Sequence, residues 1–145
     1  MIHHLSIPAK EPLSVAKALV ELFDGHLSKF GPYPDSYIAW AGDNKGTAIE
    51  VYPIGTEMFP DSANGQANFR HVPDASGYTA THATISVNKT VEQISSLANK
   101  HGWRAIKLSR GSFDVIEFWI ENHVMLELMT AEMTADYLKD TSTDN

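Results

Sequence analysis

Two kinds of hydrophobic period alternate along this chain, and the alternation occurs twice. Residues 2–9, "IHHLSIPA", read as a short strand with Leu5 and Ile7 on one face, His4 and Ser6 on the other, and Pro8 marking an edge. In "EPLSVAKALVELFDG" the period becomes helical: Leu13, Ala16, Leu19, Val20 and Phe23 share a side, Pro12 stands near the start and Gly25 past the end. "HLSKF" (26–30) is a weak strand, and "DSYIAWAGDNKGTAIEVYP" is two β-rich runs around a "GDNKG" turn. Residues 54–78 are rich in Pro, Gly, Asn, Ser and Asp, lack sustained periodicity, and read as a long connector.

The second half repeats the order. "ATHATISV" alternates as a strand, and "TVEQISSLANKHGW" places Val91, Ile94, Leu97 and Ala98 on one helical face. Thr90 and Gln93 have the spacing of a capping box, and Gly102 is the stop. "RAIKLSRG", "SFDVIEFWIEN" and "HVMLELMT" read as three strands joined by tight turns, "AEMTADYLKD" as a short closing helix, and "TSTDN" as a fraying end. The organisation predicted is a single domain over 1–145: module one 1–53, connector 54–78, module two 79–130 and a tail 131–145.

Composition narrows the function classes. A net charge of −7 supplies no basic stripe for nucleic acid and no attraction to an anionic membrane surface. No apolar run approaches the roughly 20 residues that span a bilayer, and no secretory leader is visible, so cytoplasmic residence is the expectation. Without cysteine there are no disulfides and no thiolate ligands, so any metal must be held by nitrogen and oxygen.

Those ligand types recur with the repeat. His4 opens the first strand of half one and His82 that of half two, while Glu50 and Glu127 lie in the two closing strands. His4 to Glu50 is 46 positions and His82 to Glu127 is 45; His4 to His82 is 78 and Glu50 to Glu127 is 77. In each strand these residues share a face with Ser6, Thr84, Ser86, Tyr52, Met125 or Met129, opposite Leu5, Ile7, Ile85, Ile49, Val51, Leu126 and Leu128. The aliphatic faces suit packing under a helix, and the candidate ligands all lie on the other side. Two imidazoles and two carboxylates suit a divalent ion such as Zn, Ni, Co, Mn or Fe, whose identity this donor set leaves open. Trp119 is a candidate pocket wall, Arg70 and His71 are connector residues able to reach over a cavity, and His3, in the opposite phase to His4, reads as scaffold.

At "HHLSIPA", "THATISV", "AIEVYP" and "MLELMT" the sequence resembles the vicinal oxygen chelate superfamily, whose members include glyoxalase I, extradiol dioxygenases and resistance proteins. The resemblance implies an α+β fold of two βαβββ modules forming a curved mixed sheet around a metal cavity. It implies metal ligation by His4, Glu50, His82 and Glu127, closest to the glyoxalase I pattern. It also implies proton transfer beside a carbonyl, with Glu127 as the shuttle and Glu50 its symmetric counterpart. The expected activity is that of a metal-dependent isomerase, epimerase or lyase on a small oxygen-chelating substrate, in a homodimer. Two alternatives stand beside it: an Fe or Mn extradiol-type dioxygenase, and a non-catalytic protein that binds a small molecule. No basic residue is identified as a holder for glutathione carboxylates.

Overall fold

The computed structural model describes residues 1–142; positions 143–145, most of the stretch expected to fray, lie outside the described residues. The element order is β1 (His4–Ala9), α1 (Pro12–Phe23), β2 (His26–Lys29), β3 (Tyr37–Trp40), β4 (Ala48–Pro53), β5 (Thr56–Phe59) and β6 (Asn68–His71). It continues with β7 (Ala83–Ser86), α2 (Val91–His101), β8 (Ala105–Ser109), β9 (Asp114–Ile120), β10 (Val124–Met129) and α3 (Ala131–Ser142). The two βαβββ modules form two four-stranded sheets of identical design, β1-β4-β3-β2 and β7-β10-β9-β8. In each, the opening strand runs parallel to the closing strand and the other pairings are antiparallel. A parallel pair needs a crossover, and the helix after each opening strand supplies it.

Local chemistry explains the helix ends. Thr90 accepts a hydrogen bond from the Gln93 backbone N–H while the Gln93 side chain accepts from the Thr90 N–H, the reciprocal capping box that the spacing predicts. Gly102 takes the left-handed conformation that ends α2, at φ 69°. At the end of α1 that role falls to Asp24, at φ 54°, and not to Gly25. Gly25 is needed for another reason: a Cβ there would run into the Trp40 carbonyl oxygen.

The connector 54–78 is more structured than its composition suggests. β5 and β6 pair as an antiparallel hairpin carrying the exposed Met58 and Phe59. Arg70 pairs with Glu57 at 2.7 Å and lies over the Phe59 ring, so it serves the hairpin itself.

The aliphatic faces of both sheets and the buried sides of the helices form one apolar cluster. It runs from Ile7, Leu19, Ile49 and Val51 through Ile94 and Leu97 to Phe118, Leu126 and Leu128. Burial of such side chains, each stabilising by about 1.5–3 kcal/mol, is what holds the halves together. Helices α1 and α2 touch, and Lys89–Asp24 and Lys100–Glu21 ion pairs cross between the halves. The candidate ligands occupy the sheet faces away from this core. Among the described residues the two sheets share no ladder, and β1 and β7 each keep one unpaired edge. No helix among the described residues is long and apolar enough to cross a membrane.

Candidate functional site

Backbone register builds the same small constellation in both halves. Ser6 on β1 lies directly across from Glu50 on β4, and Thr84 on β7 directly across from Glu127 on β10. Cross-strand neighbours on one face stand within side-chain reach. Ser6 Oγ accordingly donates to Glu50 Oε2 at 2.8 Å, and Thr84 Oγ1 to Glu127 Oε2, also at 2.8 Å. Two residues before each hydroxyl stands the histidine, His4 or His82. Strand phase puts all three groups on one face in each module.

The two halves nevertheless hold their carboxylates differently. In module one, Glu50 Oε1 lies 3.8 Å from His4 Nε2, too far for a hydrogen bond. Two donors on one divalent ion, each about 2.0–2.2 Å from it, span up to about 4.2 Å, so this pair fits a shared ion. His4 is largely exposed and Glu50 largely buried, which leaves the pair open from one side. The Tyr52 hydroxyl donates to Glu50 Oε2 at 3.5 Å, and burial together with the adjacent Glu50 carboxylate pushes that phenol up to about 12. Phe30, Tyr33 and Phe69 ring Tyr52 at centroid distances of 5.5–6.1 Å, and Tyr33 and Phe69 pack on each other at 5.0 Å. Phe69 comes from β6, so the hairpin closes one wall. Beside this wall a cleft of about 220 Å³ is lined by Ser6, Ile7, Pro8, Tyr52, Thr56 and Met58.

In module two, Arg110 donates to Glu127 Oε1 from Nε at 3.0 Å and from Nη2 at 2.8 Å. Its Nη2 also lies 3.9 Å from Oε2 of Glu117, the residue directly across from Glu127 on β9. Burial pushes the Glu127 carboxyl up, but the hydrogen bonds from Thr84 and Arg110 and the charges of Arg110 and His82 outweigh it. The net direction is down, so Glu127 stays ionised. His82 Nδ1 lies 3.0 Å from the Ala80 carbonyl oxygen; donation along that contact leaves Nε2 as the free lone pair a metal takes. Trp119, also on this face, buries an indole N–H with no partner among the described residues. Its counterpart Trp40 donates to Ser28 Oγ at 2.8 Å.

His4 and Glu50 are thus brought together, and His82 stands close enough to Glu127 to act on it electrostatically. Among the described residues no three His, Asp or Glu side chains converge as a metal cluster, and the four candidates stand as two separate His–Glu pairs, one in each module. His3 serves the scaffold: its carbonyl accepts from the Ala48 N–H and its Nδ1 meets the Lys45 carbonyl oxygen at 2.6 Å. His26 and His101 stack on Trp40 and Trp103, and His123 packs at a tilt against Tyr78. Arg110 and Glu117 are the site-face residues that sequence reasoning does not assign; the one signal for Glu117 is its strand phase with Trp119.

No family model matches the chain, and no curated relative does. Solved structures do. The fosfomycin resistance protein FosX from Mesorhizobium loti is 11% identical and superposes with a TM-score of 0.57 over 93% of this chain and 94% of its own. A mutant of FosX from Listeria monocytogenes, complexed with Mn(II) and 1S,2S-dihydroxypropylphosphonic acid, is 14% identical with a TM-score of 0.56 over 96% of each chain. A possible glyoxalase from Bacillus cereus is 13% identical with a TM-score of 0.51, over 89% of this chain and 97% of that one. At such identities the likeness speaks for the fold alone. The chain has the fold of the vicinal oxygen chelate proteins.

Proposed function

We propose that the protein is a divalent-metal-dependent enzyme of the cytoplasm that acts on a small oxygen-chelating substrate by isomerase, epimerase or lyase proton transfer. The observation that carries the reading is the repeated register: histidine, hydroxyl and cross-strand carboxylate, built twice on the faces away from the core. His4, Glu50, His82 and Glu127 would hold the ion, and the Mn(II) in the Listeria structure supports a divalent metal in this fold. A bound ion of this kind is a Lewis acid toward substrate oxygens. The chain's own work is then to orient and to move a proton. Ser6 and Thr84 fix the carboxylate rotamers, Tyr52 and its aromatic neighbours form a dry wall, and Glu127 holds the transferred proton, with Glu50 as its symmetric counterpart.

The proposed assembly is a homodimer. Each chain carries the pairs on separate sheets, and β1 and β7 leave open edges, so in this reading a second copy unites a module-one pair with a module-two pair. Mixing variants tests this. His4→Ala and His82→Ala should each lose stoichiometric metal, and refolding them together should recover part of it, because a heterodimer with sites across its interface contains one intact site. Sites confined within a chain would each keep one lesion, and mixing would recover nothing. Metal content unchanged in the double variant refutes the ligand set outright.

One observation favours a second reading, a non-catalytic small-molecule binder. Arg110 already neutralises Glu127 without a metal. That reading requires ligand affinity to survive chelation, and chelator-treated protein decides between the two.

A further inference from the structure

Resting on the metal-site reading, we infer that Arg110 is a built-in competitor for the divalent ion at Glu127, and that Glu117 is the carboxylate that receives the displaced guanidinium.

The two halves differ at the carboxylate itself. Glu50 keeps Oε1 free toward His4, with its hydrogen bonds gathered on Oε2. Glu127 has neither oxygen free: Thr84 occupies Oε2 and two guanidinium donors occupy Oε1. The contrast comes from what each module carries on this face at the end of its second strand, and Arg110 corresponds by register to Pro32. Arg110 is the residue after β8, and its N–H donates to the Phe113 carbonyl at 2.8 Å. The residue after β2 is Phe30, whose N–H donates to the Ser36 carbonyl at 2.9 Å. One turn therefore delivers a guanidinium and the other an aromatic ring. Likewise Glu117 faces Glu127 across the ladder where Ile38 faces Glu50. Module two has acquired an extra cation and an extra carboxylate on the same face, and they are adjacent.

Charge makes the two cations exclusive. A guanidinium and a divalent ion cannot both sit against Oε1, because they repel and compete for the same lone pairs. Capture of Glu127 by the ion must release Arg110, whose side chain is one-third exposed, so its charge is only partly returned to water. A free guanidinium in that position is costly unless paired. Glu117 Oε2 lies only 3.9 Å from Nη2 and is itself largely buried, so a small side-chain rotation completes the exchange. The face then holds two satisfied carboxylates, one on the ion and one on Arg110, and no unpaired charge. Metal affinity is set by this exchange as well as by the four ligands.

The test is calorimetric titration of chelator-treated protein with Mn2+ alone, with folding of each variant checked by circular dichroism. Arg110→Gln removes the competitor, and the loss of a charge-assisted hydrogen bond pair implies a dissociation constant about 10- to 100-fold lower than wild type. Arg110→Lys, which keeps the charge but loses the fork, should fall between the two. Glu117→Gln strands the displaced guanidinium and should weaken binding several-fold in the wild-type background, and not in the Arg110→Gln background. A Glu117 effect that persists without Arg110 means simple charge attraction and overturns the acceptor role. Wild-type binding with Arg110→Gln equal or weaker overturns the competitor role while leaving the metal reading intact. If wild type and Arg110→Gln both take up no ion, the metal reading itself falls.

Discussion

Thr84→Val isolates one hydroxyl of the repeated constellation. The substitution replaces the Oγ1 that donates to Glu127 Oε2 at 2.8 Å with a methyl group of similar shape. Thr84 is exposed, so the valine gains little from burial, and both residues suit a strand. A hydrogen bond to a charged group contributes about 1.5–3 kcal/mol when well buried; with the donor exposed, about 1 kcal/mol is the reasonable expectation. For 145 residues the unfolding entropy is about 0.3 kcal/mol per kelvin, so the melting temperature should fall by about 3 °C. The pH dependence makes the test specific. The folded Glu127 carboxyl titrates below its ordinary 4.5, so the stability from its ionised form is fully present above that value and is lost as pH falls through the folded one. The deficit of Thr84→Val should therefore be full at pH 7 and shrink in the acid range below 4.5. The assay is urea unfolding of chelator-treated protein across that range, with Ser6→Ala as the symmetric control, for which a loss of the same sign is expected. A deficit as large in acid as at neutrality, or none at neutrality, refutes the idea that the hydroxyl holds an ionised carboxylate.

Three other perturbations test the frame around the site. Thr90→Ala removes the hydroxyl half of the capping box and should cost about 1 kcal/mol, read as a lower urea midpoint with an unchanged slope. Gly25→Ala drives a Cβ into the Trp40 carbonyl and should cost about 1–3 kcal/mol, and an unchanged midpoint would mean that the chain end of α1 yields freely. Ile106→Ser places a hydroxyl where Ser28 stands in module one, since Ser28 lies across from Ile38 and Ile106 across from Glu117. It should give the orphaned Trp119 N–H a partner and stabilise by about 0.5–1 kcal/mol, with a displaced indole N–H resonance as the direct sign.

The fold was legible because both periods were clean where burial is one-sided. Leu126 and Leu128 are fully buried while Glu127 between them is not, the alternation that a sheet with one covered face imposes. The weak second strand of module one was legible only through its counterpart in module two, because His26–Lys29 lies at a sheet edge and buries almost nothing. The β5–β6 hairpin was not legible. Its strands are four residues each, its partners are separated by Pro60 and Gly65, and most of its side chains are exposed, so no hydrophobic period marks it.

The site divides along the same line. His4, Glu50, His82 and Glu127 could be placed on faces because each sits in or beside a strand whose phase its neighbours declare. Ser6 and Thr84 share that phase, yet their role depends on register, which strand pairing determines and spacing along one strand does not. Arg110 belongs to a turn, where no period exists and the direction of a long side chain is set by the fold around it. What duplication preserves is therefore readable from either copy, and what differs between copies is not. Those differences, Arg110 against Pro32 and Glu117 against Ile38, are where one carboxylate pair departs from the other, so the chemistry special to this chain is concentrated at positions where the repeat fails.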